Sequence, residues 1–240
     1  MPRSAIWKSI ADTLRQEVAQ GLYPPGSRLP TEAELSARFG VNRHTVRRAL
    51  ADLSEGGVVH ARRGAGVFVT ARPTDYPLGR RVRFHQNVMA SGRTPSRRLT
   101  RLETRAPTGV EAEALGLVEG ESVHVVEGVS LVDGQPVAVF RSVFSAQRFP
   151  GLLDALRGQN SVTAALAACG LADYTRAETR ITAKSASAVL ALNLQIAEGA
   201  PILRSVATNI DGSGRPVEFG TTWFAGDRVT LTVSPDLAGG

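Results

Sequence analysis

The feature that most restricts this chain is a pair of helix starts set close together. Thr31 and Glu34 have the T-x-x-E spacing of a capping box, in which each side chain satisfies an amide that the first helical turn leaves open. Leu35 and Phe39 then lie four apart and share one face. Gly40 ends the segment, and only Gly40 and Val41 separate it from Asn42, a residue suited to cap another helix. Beyond Asn42, Val46, Ala49, Leu50 and Leu53 point one way. Two short helices joined so tightly must cross steeply, which leaves few folds open.

The flanking residues narrow the choice. Ile6, Ile10, Leu14 and Val18 recur every four residues and predict a helix with Ser4 as cap and Gly21 as stop. The segment LYPPGSRLP at 22–30 cannot continue it. After the third helix, VVHARRGAGVFV at 58–69 reads as two strands around Arg63, Gly64, Ala65 and Gly66. Helix, turn, helix and basic hairpin make a winged helix-turn-helix. The third helix shows Arg43, His44, Thr45, Arg47 and Arg48 on its other side. Guanidinium groups near a helix start suit the major groove, because they can donate two parallel bonds to guanine or to phosphate.

The run GSRLPTEAELSARFGVNRHTVRRALADLSEGGVVHARRGAGVFV resembles the DNA-binding domain of the GntR family of bacterial regulators along almost its whole length. The resemblance implies that Arg43 and Arg47 contact bases and phosphate, that Thr45 contacts the DNA backbone, and that Gly66 brings the wing tip to the minor groove. Arg28, Arg38, Arg48 and Arg63 are further candidates for phosphate contacts. Many relatives carry a DNA-contacting Arg where this chain has Ala33, which moves base reading onto the third helix and the wing.

Charge is distributed accordingly. Residues 1–72 hold 11 Lys+Arg against 6 Asp+Glu, residues 73–105 hold 8 against 2, and residues 106–240 hold 9 against 14. A basic front joined to an acidic remainder suits a polyanion-binding module attached to a separate domain. The sequence shows neither a run of about 18 apolar residues nor a secretory leader, so the cytoplasm is the expected location, without a membrane partner. One cysteine, Cys169, and four scattered histidines argue against a metal site, and no cofactor is expected. No nucleophile lies beside a plausible base, so an enzyme is not expected.

The expected organisation is α+β: a winged helix-turn-helix at 1–71, a linker at 72–81 (ARPTDYPLGR begins one residue earlier, with two prolines and no apolar period), and a second, mixed domain at 82–240. In that last domain helical windows fall at 84–91, at 108–116 after the box Thr108 to Glu111, at 150–169 with a break near Gly158, and at 185–193 after Ser185. Hairpins are predicted at 122–144, turning at Asp133-Gly134, and at 202–224, turning at 211–214. The two look like copies: Leu115, Leu117, Gly120, Val123, Pro136, Val137 and Phe144 correspond in order to Leu192, Leu194, Gly199, Ile202, Pro216, Val217 and Phe224. Such halves give one antiparallel sheet flanked by helices.

This order, with RFPGL at 148–152, the helix start at Ser161 and GRPVEFG at 214–220, resembles the UTRA effector domain of the HutC branch, whose fold is similar to chorismate lyase. Within that branch EGVSLVDGQPVAVFRSVF, DYTRAETRITA at 173–183 and FAGDRV look most like regulators of phosphonate utilisation. The resemblance implies a homodimer on double-stranded operator DNA, controlled by a small-molecule effector. It places ligand contacts at Thr94, Ser96, Arg141, Ser161, Thr163, Glu218 and Phe224. Sugar-phosphate-sensing relatives carry Arg where this chain has Gly128 and Ser130, so Tyr174, Arg176 and Arg180 are candidates to replace that site; i, i+2 spacing on a strand puts Tyr174 and Arg176 on one face. The rival readings are a repressor of the same branch sensing a sugar phosphate, an amino acid or a histidine-degradation intermediate, and a chorismate-lyase-like enzyme.

Overall fold

The computed structural model describes residues 3–62, 64–70, 73–81, 84–158 and 161–233. Backbone contacts divide the chain into two units, Met1–Arg72 and Pro73–Gly240.

The first unit holds α1 (Arg3–Ala19), α2 (Glu32–Phe39), α3 (Arg43–Glu55), β1 (Val59–Arg62) and β2 (Gly66–Val69). Ser4 lies inside α1 and is not its cap, because the helix already runs from Arg3. The capping box forms as the spacing requires: the Thr31 amide donates to the Glu34 carboxylate at 2.6 Å, and the Glu34 amide donates to Thr31 Oγ1 at 3.3 Å. Gly40 takes the left-handed conformation, φ +63°, that ends α2 and redirects the chain. Asn42 Oδ1 then accepts from the Thr45 amide at 2.9 Å and starts α3. Val46, Ala49, Leu50 and Leu53 are buried with Ile10, Ala11 and Leu14 of α1, Leu35 of α2, and Val59 and Val69 of the hairpin. One apolar cluster therefore fixes the angle at which α3 is presented.

The second unit contains β3 (Thr74–Pro77), α4 (Phe84–Ala90), β4 (Pro95–Arg105), α5 (Gly109–Leu115), β5 (Val123–Val132), β6 (Gln135–Ser145), α6 (Leu152–Gly158), α7 (Val162–Ala168), β7 (Thr175–Ser185), α8 (Ala188–Leu194), β8 (Pro201–Ile210), β9 (Pro216–Ala225) and β10 (Val229–Thr232). The segment read as a linker at 72–81 holds β3, which pairs in parallel with β10 across more than half the chain. Tyr76 of β3 is buried beside Phe84, Val137 and Phe224, and that burial turns a proline-bearing stretch into a strand. The main sheet is antiparallel with the order β4-β5-β6-β9-β8-β7.

Alternation along the strands assigns the two faces. Phe140 and Phe144 of β6 pack with Leu152, Leu156, Val162 and Leu166 of α6 and α7. Val139 and Trp223 meet α8 on the other face, and Val143 and Phe219 meet α5. The two halves repeat in space. Caps Thr108 and Ser187, helix ends Gly116 and Gln195, and strand residues Val123 and Ile202 are each 79 residues apart. This shifts the expected register of the repeat: Leu115 corresponds to the buried Leu194, not to Leu192, which is 80% exposed. Ser187 caps α8, whereas Ser185 closes β7.

Candidate DNA-binding and effector sites

In the first unit, α3 turns Arg43, His44, Arg47 and Arg48 outward and leaves Thr45 half-buried. The first turns hold them differently. Thr45 is tied into the cap, donating from Oγ1 to Asn42 Oδ1 at 2.9 Å. Arg47 grips Glu32 with two bonds, Nη2 to Oε2 at 2.9 Å and Nε to Oε1 at 3.2 Å. That hydrogen bond holds the Glu32 carboxyl below its usual range, and the Arg47 guanidinium above its own. Arg48 lies 4.6 Å over the Trp7 ring of α1.

Two other candidates are built into the unit. Arg38 pairs with Glu17, donates to the Tyr23 hydroxyl at 3.2 Å and lies 4.8 Å over Phe39, so it joins α1 to α2. Arg28 crosses the wing, where a Cβ added to Gly66 would sit 2.7 Å from its Nε; Gly66 has φ +112°. The positive φ requires a glycine there, while the Arg28 guanidinium, at the end of a flexible side chain, could move aside. Arg63 lies outside the described residues. Ala33 is exposed on α2.

In the second unit a small cavity of about 80 Å³ opens between the sheet face that carries α6 and α7, and α4. Its lining includes Thr163, Tyr174, Arg176 and Glu218 from the sequence candidates, and Arg97, Asn209, Tyr76, Phe84, Phe140, Ser142 and Thr222, which sequence reasoning missed. Arg97 is held between two rings, 4.9 Å from the Phe140 centroid and 5.4 Å from that of Phe84. Its Nε is buried and makes no hydrogen bond within the protein. Burial pulls its pKa below the ordinary value, yet a guanidinium stays charged near neutrality. Opposite, Arg176 Nε donates to Asn209 Oδ1 at 3.2 Å, and Asn209 Nδ2 donates to Glu218 Oε2 at 2.7 Å. Thr163 and Tyr174 share a hydrogen bond of 2.9 Å, and burial raises the Tyr76 phenol above its usual range.

The repeat explains where the cations come from. Arg97 pairs with Ser130 and Arg176 with Asn209, again at the 79-residue offset, so the two arginines are equivalent positions on opposite edge strands. Nothing in a single strand announces this. Gly128 contributes by omission, since a Cβ there would lie 2.9 Å from the Phe140 ring and 2.6 Å from the Arg98 carbonyl. A side chain at 128 would displace the ring on which Arg97 rests.

Six expected ligand contacts are placed elsewhere. Arg141 alternates with Phe140 and Ser142, so it faces the opposite side of the sheet and pairs with Glu127 at 2.5 Å. Ser96 adjoins Arg97 on β4 and by alternation faces the other side of the sheet, outside the cavity lining, while Thr94 uses its backbone to bind Asp133 at 2.9 Å. Ser161 is spent as the cap of α7, accepting from the Ala164 amide at 3.2 Å. Phe224 is buried between Tyr76 and the apolar cluster, its ring 5.3 Å from that of Tyr76. Arg180 pairs with Glu178, beyond a bulge between Arg176 and Glu178 that breaks the alternation.

Residues 7–69 match the bacterial regulatory proteins of the gntR family, and residues 90–230 match the UTRA domain. An uncharacterized HTH-type transcriptional regulator of Rhizobium meliloti is 38% identical over 95% of this chain and 94% of its own. The probable transcriptional regulator PhnF of Escherichia coli is 35% identical over 95% and 94%. The crystal structure of PhnF from Mycobacterium smegmatis superposes with a TM-score of 0.64 at 28% identity, covering 92% of this chain and 97% of that one.

Proposed function

This chain belongs to the GntR family of bacterial transcriptional regulators, in the branch that carries a UTRA domain, and from that premise we propose that it is a dimeric operator-binding repressor released by a small phosphonate. In this reading α3 enters the major groove, with Arg43 and Arg47 on base edges and phosphate and with His44, Thr45 and the wing fixing its register. The effector occupies the cavity of the second unit. The observation that carries the ligand class is Arg97, whose buried Nε is stacked between two rings with no internal partner while Arg176 stands across the cavity.

Two cations against one carboxylate favour an anion, and their forks match tetrahedral oxyanions. Asn209, Thr163, Ser142 and Tyr174 supply further polar groups, and Glu218 suits an amine at the other end of the ligand. The similarity to PhnF regulators supports the same class. Repression is lifted if the ligand binds the DNA-incompetent arrangement better than the other.

Calorimetric titration with 2-aminoethylphosphonate, methylphosphonate, phosphate and sugar phosphates tests the class. The expected result is saturable heat from 2-aminoethylphosphonate that Arg97→Ala and Arg176→Ala each abolish. Silence from every phosphorus compound, with heat from a ligand that lacks phosphorus, would sink it.

A further inference from the structure

The outer strand β7 is uncovered in a way its repeat equivalent is not. On β4, Leu99 and Leu102 pack against the core under α6 and α7. On β7 every residue from Arg180 to Ser185 is exposed, Ile181 at 43%. Among the described residues the edge is taken at its start, where the Arg176 amide donates to the Arg80 carbonyl at 2.8 Å. Beyond the bulge that follows, the outer edge has no neighbouring strand among the described residues.

Which groups point outward follows from the ladder. Hydrogen-bonded and non-bonded pairs alternate in an antiparallel pair. The Ala186 amide donates to the Ala200 carbonyl, one step past Ser185↔Pro201, so Lys184, Thr182 and Arg180 bond inward to β8. Thr179, Ile181 and Ala183 therefore turn their N–H and C=O groups to the free edge. The outward amide of Arg176 agrees, because one extra residue at the bulge shifts the parity.

We propose that β7 is the surface through which two copies of this chain pair, antiparallel about a two-fold axis at Ile181. This rests on the dimeric reading and names its interface. In that register Ile181 meets the partner's Ile181, Thr179 meets the partner's Ala183, and Arg180 meets the partner's Thr182. Glu178 lies opposite the partner's Lys184, twice over by symmetry. Moving the axis to residue 180 sets Arg180 against itself. Moving it to 179 runs the pairing into Arg176, whose amide is already taken. Charges on an edge strand usually prevent pairing; in this register they complement each other.

Sedimentation of the full chain tests the interface. Glu178→Lys and Lys184→Glu should each raise the dimer dissociation constant about tenfold or more, and the double reversal should restore it. Circular dichroism checks that each variant is folded. Ile181→Cys should give a covalent dimer on mild oxidation, which the parent chain with Cys169 alone does not. Single reversals that leave dimerisation unchanged, or no cross-link at 181, overturn this interface while the dimeric reading stands. A monomeric parent chain overturns both.

Discussion

Arg47 and Glu32 set the electrostatics of the recognition surface. Their side chains are 64% and 35% exposed, so solvent screens the pair and it opens readily for a better partner. If α3 enters the major groove as proposed, Glu32 places a carboxylate beside the approaching phosphates. Glu32→Ala is therefore expected to raise affinity for non-specific duplex several-fold and to lower the ratio of specific to non-specific binding, measured by anisotropy titration. Gly66 carries a different constraint. Ala at 66 would need a backbone conformation that side chains rarely adopt and would press on Arg28, so Gly66→Ala should cost about 1–3 kcal/mol in the first unit by chemical denaturation. Arg47 and Gly66 were legible in the sequence through their motif, and Glu32 was not. Arg97 was not, because its meaning depends on two rings that come from α4 and β6.

At the scale of elements, what sequence could reveal divides by distance along the chain. The caps at Thr31, Asn42 and Thr108 are local chemistry within one turn, and each forms as its spacing requires. Strand β3 depends on β10 and on burial of Tyr76, neither visible within four residues. Arg141 was misplaced because alternation gives two faces without saying which one α6 and α7 cover. The α5 cap yields a pH dependence. Arg105 donates to Glu111 at 2.7 and 2.8 Å and the Thr108 amide adds a third bond, which brings the Glu111 pKa down to about 2. A depressed carboxyl stabilises the fold above its unfolded pKa and loses that contribution as pH falls toward the folded value. Stability measured by urea denaturation should accordingly decline between about pH 5 and pH 2, and Glu111→Gln should cost about 1–2 kcal/mol at pH 7 and flatten that decline.

At the scale of the whole chain, the charge asymmetry separates two jobs. The basic front presents α3 and the wing, and the second unit encloses a small cationic cavity in a sheet built from two repeated halves. Variants in the two units should then separate: Arg43→Ala removes operator binding and keeps the calorimetric response, while Arg97→Ala keeps operator binding and loses the response. Sequence reading through α3 can be measured by titrating the full chain and Arg47→Ala against the intergenic duplex beside its own gene and a scrambled duplex, at about 0.15 M salt. The expected result is a preference of about 10³-fold or more for the intergenic duplex, lost in Arg47→Ala. Equal affinity for the two duplexes, or an undiminished preference in Arg47→Ala, would contradict it.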